Sequence, residues 1–296
     1  MSLLASKPGM WLSRKLHHTS RTARTFLFRA SLPFIVLVSV PLAWAQDQKD
    51  RPEADPARPT VSNPAHIPPV GYLQLEQGIL IAADSPVDAN SRLDHQTSIV
   101  QATKLSANKR LLFTVLSQPY AQTTSDDSTR SSDAGDVQVS AQAVLLDSNH
   151  GHATIPSLSA SYTRRIHAGT ATSLDTGETS QGVALLASGN VRQLHYDANL
   201  FLNEQNDFRG ARRAQHGQAL LLSYNPTKKL SLSGEIWHFT QPFVRGDAVG
   251  NLWAAAYSLQ PNLVFDAGFN HGLTSTSTQW TGFGGFTYLL PHRLWH

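Results

Sequence analysis

The sequence predicts an all-β protein: an antiparallel transmembrane β-barrel of about 12 strands, preceded by a signal peptide and a Pro-rich segment. Three observations predict it. Apolar residues recur with period 2 through most of the chain after Gly71. Charged residues make up only 15% of the chain, against roughly 25% in soluble domains. Long and short connections alternate between the predicted strands.

The N-terminus reads as a leader. Residues 1–45 carry six basic side chains (Lys7, Arg14, Lys15, Arg21, Arg24, Arg29) and no acid. An apolar stretch from Ala30 to Trp44 follows, and Ala43-Trp44-Ala45 ends it with a small-x-small cleavage pattern. Basic, then apolar, then small is the order of a secretory signal peptide. An Arg- and Ser-rich transit peptide competes, but the compact apolar core favours secretion. A retained anchor would need about 20 apolar residues without the interruptions of Pro33 and Pro41. All 21 acids lie beyond the leader, so its removal turns the net charge from +3 to negative. The nucleic-acid hint in a pI of 9.2 leaves with it.

Residues 46–70 hold six prolines (Pro52, Pro56, Pro59, Pro64, Pro68, Pro69) and few apolar anchors. Such a segment cannot bury enough surface to offset its ordering entropy, which predicts an extended, mobile linker. Whether it enters a lumen as a plug is not decided by composition.

The barrel is expected over 71–290, with 291–296 as a C-terminal extension. The clearest strand is 193–203, where Leu194, Tyr196, Ala198, Leu200 and Leu202 alternate with His195, Asp197, Asn199, Phe201 and Asn203. Similar runs place strands at 71–82, 96–105, 109–118, 136–146, 154–164, 181–188, 193–203, 216–224, 229–239, 250–259, 263–271 and 279–290. The runs at 96–105 and 109–118 mix apolar and polar residues on both faces. Most predicted strands approach the ~9–11 residues that cross a bilayer at a tilt.

The shorter connections carry turn residues: Ser106-Ala107-Asn108, Asp147-Ser148-Asn149, Ser188-Gly189-Asn190, Asn225-Pro226 and Gln260-Pro261-Asn262. The longer ones include the polar run from Thr123 to Arg130. Outer-membrane barrels have tight periplasmic turns and extended outer loops. Closure follows from hydrocarbon itself, where an unpaired sheet edge is not permitted. Tyr72, Tyr162, Tyr224, Trp253, Tyr257, Trp280 and Tyr288 are expected near strand ends as interfacial girdles. The last strand, with Gly285, Tyr288 and Leu290, is similar to the terminal insertion signal of bacterial barrels, which usually closes the chain; here Pro291 to His296 follow.

The run Pro68-Pro69-Val70-Gly71-Tyr72-Leu73-Gln74-Leu75-Glu76-Gln77-Gly78 resembles the opening strand of the outer-membrane barrels grouped as the MetA pathway of phenol degradation. Gly135-Asp136-Val137-Gln138-Val139-Ser140-Ala141 is similar to their fourth strand, and the stretch from Asp266 to Thr274 to their penultimate one. The likeness spans roughly 66–290. It implies a porin-like protein passing small aromatic or apolar compounds, and it carries over no catalytic residue.

Twelve strands place the lumen between the filled interior of 8 strands and the channel of 16–18. Inward polar residues are expected at Gln74, Glu76, His195, Asp197, Asn199, Asn203, Glu235, Asp266 and Asn270. They read either as a selectivity lining or as internal partners stabilising a closed barrel. Enzyme readings fail on the residues. Ser148-Asn149-His150-Gly151 is the wrong order for an outer-membrane phospholipase nucleophile. Asp126, Asp127 and Asp133 share one loop and do not make a protease's paired acids. His150-Gly151-His152 lacks the further ligands of a metal site. With no Cys, thiolate chemistry is excluded, and no phosphate-cradling Gly loop or dinucleotide fingerprint occurs.

No catalytic residue, metal or cofactor is therefore expected. The expected role is a passive outer-membrane channel for small solutes. Its partners would be outer-membrane lipid, a small-molecule solute and the barrel-insertion machinery, with no nucleic acid. Two alternatives stand beside it: a closed structural or surface-display barrel, and a soluble secreted β-sandwich.

Overall fold

The computed structural model describes residues 52–58, 60–86, 92–125, 130–148, 155–166, 179–206, 211–242 and 246–295. The expected signal peptide lies outside them, as do Asp126, Asp127, His150 and His152. The described residues form strands and no helix: β1 (Leu73–Pro86), β2 (Arg92–Asn108), β3 (Leu111–Ser125), β4 (Arg130–Asp133), β5 (Val137–Leu146), β6 (Ser157–Ile166), β7 (Ser180–Val191), β8 (Leu194–Asn206), β9 (Arg212–Tyr224), β10 (Leu230–Thr240), β11 (Asp247–Gln260), β12 (Leu263–Gly272) and β13 (Trp280–Leu289).

Every pairing is antiparallel, and all but β3–β5 and β1–β13 join neighbours in sequence. β1 pairs with β13, and the β2–β3 pairing completes the ring, so a single sheet closes on itself. The short β4 shares one place in the wall with β5. β3 pairs with β5 through Leu111–Ser117 and with β4 through Ala121–Thr124. Pro119 lies in the gap between them, where its missing N–H cannot join a ladder. The β2–β3 register shifts opposite it, between Ile99 and Gln101. The wall thus has twelve positions, and each predicted strand overlaps one of them.

The connections differ from expectation. Ser106-Ala107-Asn108 and Ser188-Gly189-Asn190 lie within strands, and the turns fall instead at Lys109-Arg110 and Arg192-Gln193. Arg192 takes φ 59°, the left-handed conformation favoured in two-residue hairpin turns. The strict alternation of long and short gaps is not kept. β2 and β3 extend to 17 and 15 residues and absorb much of the expected outer loops, including Thr123, Thr124 and Ser125. Meanwhile the β5–β6 connection, on the tight-turn side, runs from 147 to 156. Polar residues at strand ends pair as well as apolar ones once the neighbouring strand offers a ladder, so polarity alone misplaces these boundaries.

The faces are inverted relative to a water-soluble domain. Gln74, Gln96, Ser98, Lys104, Gln142, Ser159, Asp197, Asn199, Glu235 and Asp266 are buried, while Ile79, Ile81, Leu185, Leu200 and Ile236 are each more than half exposed. In a closed single sheet a residue is buried by pointing inward. Polar side chains are therefore inside and the apolar ones form the outer belt, which is stable only against lipid.

Candidate functional site

The lumen is not empty. Residues 52–58 and 60–70 enter it from the tight-turn end, rise to about mid-height, cross, and return to feed β1. The rising limb is fixed where Ala54 N donates to Pro261 O (2.7 Å) in the β11–β12 turn. Asp55 N donates to Gln74 Oε1 (3.0 Å), and Gln74 Nε2 answers to Asp55 O (2.7 Å). At the bend, Glu235 of β10 accepts from Val61 N (2.8 Å), Ser62 N (2.6 Å) and Ser62 Oγ (2.5 Å). Asn199 of β8 exchanges two bonds with the backbone of Asn63, at 2.6 and 3.0 Å. On the returning limb Ala65 N donates to Ser188 Oγ (2.7 Å), Ser159 Oγ donates to Ala65 O, and Gln142 Nε2 donates to Pro64 O (3.1 Å). Ser106 Oγ then holds Pro68 O (2.7 Å).

The sequence predicts a mobile linker here because it offers no apolar anchor. The anchors are wall side chains bonded to backbone groups, a mode that composition does not display. Ala65, fully buried against Leu186 and Ala184 with Phe201 packed beside them, is the segment's small apolar contact. Prolines at 56, 64 and 68 need no N–H partner, which lowers the number of bonds the lumen must supply.

Seven of the nine residues expected to line the lumen meet the insert or its immediate supports: Gln74, Glu76, His195, Asp197, Asn199, Glu235 and Asp266. Glu76 accepts from Lys104 Nζ (2.7 Å) and Gln74 Nε2 (2.9 Å). Asp197 accepts from Ser188 Oγ (2.5 Å) and lies 3.2 Å from His195 Nε2, whose Nδ1 faces Asn190. The other two lie above the insert, toward the opposite end. Asn203 donates to Gln215 (3.3 Å), and Asn270 accepts from Trp237 Nε1 (2.7 Å). There a cavity of about 340 Å³ is lined by Gln118, Gln138, Gln205, Gln215, Trp237 and Phe239, among others. Lys104, Gln142 and Ser188 escape the sequence reading, as does this glutamine-rich vestibule. Gln142 lies on the polar face of the 136–146 run and was legible from it, whereas Lys104 belongs to a run whose faces are mixed; the insert's own contribution is marked in the sequence only indirectly, by the inward carboxylates it meets.

Of the expected girdle, Tyr72, Tyr224, Tyr257 and Tyr288 stand toward the tight-turn ends, and Trp280 at the opposite end of β13. Tyr162 stands past the middle of β6, its hydroxyl donating to Gln181 (3.0 Å). Trp253 stands apart from both ends. It sits at the middle of β11 opposite Gly234, where a Cβ would fall 2.9 Å from its ring. Its role is to cover a bare stretch of the outer wall. Among the described residues no group of three or more His, Cys, Asp or Glu is placed to hold a metal ion.

The foot of the insert is clasped by His66 Nε2 and Asp55 Oδ2, 3.1 Å apart. The Asp55 carboxylate, acting against the cost of burial, pushes His66 up to about 9, helped by Asp197 and Asp147. Burial pushes Asp55 up, but His66, Lys104 and His195 together hold it below its ordinary value. A raised histidine contributes stability that is complete below its ordinary value and lost as pH rises through about 9. The clasp is therefore expected to loosen in alkali. A Thr60→Cys chain, otherwise free of cysteine, should react with an impermeant maleimide faster between about pH 8 and about pH 10, relative to an exposed Lys228→Cys control. Asp55→Asn should remove the difference, and equal pH profiles for the two cysteines would refute the clasp.

The comparisons agree with this architecture. The fold is similar to the COG4313 outer membrane channel from Pseudomonas putida F1, with a TM-score of 0.57 and 15% identity over 80% of this chain and 100% of that one. It is also similar to the NanC porin, with a TM-score of 0.53 and 10% identity over 73% of this chain and 100% of that one. No curated protein matches the sequence. A family pattern matches residues 57–290, from the insert to the last strand, and the chain belongs to the family described as "Putative MetA-pathway of phenol degradation".

Proposed function

We propose that this protein is a passive outer-membrane channel for small solutes, aromatic or apolar compounds included, held closed at rest by residues 52–70. The carrying observation is the closed single sheet with an apolar outside and a polar inside, which requires lipid around it and leaves a lumen for solute. The similar structures, a channel and a porin, support the same reading. The vestibule supports it too, since Trp237 and Phe239 offer ring faces beside glutamine amides, with the Asp136–Arg165 pair on the same lining. In this reading residues 1–45 are a cleaved leader, insertion machinery places the barrel, and the tight turns face the periplasm.

Among its described residues the insert makes no strand ladder with the wall, so it can leave without opening the ring. Full-length protein in planar bilayers is expected to give brief, infrequent steps, and liposomes carrying it should admit phenol-sized neutral solutes faster than sugars. Silence with every ion and solute tried, from protein whose heat-modifiable migration shows a folded barrel, would favour the second reading: a closed structural barrel, which the insert pinned across the lumen to Glu235 and Asn199 recommends.

A further inference from the structure

Four carboxylates line the lumen around the insert, and three are served by hydrogen bonds: Glu76 by Lys104 and Gln74, Asp197 by Ser188, and Glu235 by Val61 and Ser62. Asp266 differs. It is 5% exposed, and neither of its oxygens has a hydrogen-bond partner among the described residues. The cation facing it is Arg58 of the insert, 3.9 Å away, whose own Nη1 also lacks a partner.

The wall around this pair is hollowed out. Arg58 lies against Gly78 of β1 and Gly285 of β13, which are register partners. A Cβ at Gly78 would fall 2.1 Å from Arg58 Nη2, and one at Gly285 would meet the β1 backbone at Gln77 O (2.3 Å) and Arg58 Nη1 at 3.0 Å. Two missing side chains and one unsatisfied carboxylate thus make a recess of guanidinium size. Beside it opens a cavity of about 400 Å³ lined in part by Leu80, Val100 and Phe283.

We propose that Asp266, Gly78 and Gly285 form a luminal subsite for a small organic cation with an apolar body, an aryl or alkyl amidinium or ammonium, and that Arg58 fills it as a tethered surrogate ligand. Two features carry this. A structural ion pair would be expected at hydrogen-bond distance, and this one is held at 3.9 Å with donors and acceptors unspent. Its cationic half also belongs to the removable insert, not to the wall. When the insert withdraws, Asp266 faces the lumen without a counter-charge, and an incoming amidinium can make the bidentate contact that Arg58 does not. An anion is repelled there, and a neutral isostere leaves the carboxylate uncompensated. The proposal rests on the channel reading for the route by which solute arrives.

The test uses full-length protein in detergent with three probes of one shape: benzamidinium, benzamide and benzoate. Calorimetric titration of Arg58→Ala is expected to show benzamidinium binding at least about tenfold tighter than to the parent, with benzamide and benzoate silent. Adding Asp266→Asn should abolish that binding. Should Arg58→Ala fail to fold, Arg58→Met keeps the packing of the stem and is read in the same way. Equal binding of benzoate, or binding untouched by Asp266→Asn, overturns the subsite. Cation binding without conductance leaves the subsite standing and removes the channel reading; conductance without cation binding removes the subsite alone.

Discussion

Glu235→Ala is expected to convert a mostly closed barrel into a mostly conducting one. The bend of the insert hangs on this carboxylate through two backbone N–H groups and the Ser62 hydroxyl. Hydrogen bonds to a charged group contribute about 1.5–3 kcal/mol each before water re-solvates the freed donors. Allowing for that recovery, a net loss of about 3 kcal/mol is a reasonable expectation, and at 1.4 kcal/mol per decade it is roughly a hundredfold rise in the open-to-closed ratio. The bonds from Asn199 to Asn63 and from Ser188 to Ala65 remain, so the insert should flicker in and out of place and not leave permanently. Single-channel recording reads this directly as open probability. Glu235→Gln keeps one acceptor without the charge and should fall between parent and alanine. A Glu235→Ala barrel no more conductive than its parent would mean that the bend is not what closes the lumen.

The wall was legible and its contents were not. Period-2 alternation in 193–203 assigns both faces correctly because lipid outside and polar groups inside impose opposite chemistries on successive residues. The same logic turns Gln74, Glu76, Asp197, Asn199, Glu235 and Asp266 inward, and all six are buried. It fails at strand ends. Ser188-Gly189-Asn190 has turn chemistry yet pairs in β7, because a partner strand supplies a ladder that local propensity does not register. It fails again at residues 52–70, which are read as a mobile linker. That reading weighs apolar burial against chain entropy, whereas these residues are held by polar side chains distant in sequence: Glu235 lies 173 positions from Ser62. Inward carboxylates without nearby basic residues on the wall were the available signal that something else balances them. Among the described residues around the insert, Lys104 answers Glu76 from the wall, whereas the cation facing Asp266 is Arg58, which comes from outside it.

Leu200→Arg is expected to cost the barrel its membrane stability, whereas Asn203→Arg, three residues along the same strand and facing the other way, is expected to be tolerated. Leu200 is the seventh of thirteen residues in β8 and 58% exposed, at the middle of the outer belt. A guanidinium at the bilayer midplane of such a barrel costs about 2–4 kcal/mol, a large part of the ~5–15 kcal/mol that a folded chain commands. Asn203 faces inward and bonds Gln215, which lines the polar vestibule together with other glutamines and the Asp136–Arg165 pair. Urea titration of folding into lipid vesicles, followed by heat-modifiable migration, compares the two variants on one scale. The physical content is the direction of each side chain, since the two substitutions add the same group to the same strand. If Asn203→Arg proved the more damaging, the assignment of inside and outside would be reversed, and a barrel with a polar exterior would have no reason to enter a membrane.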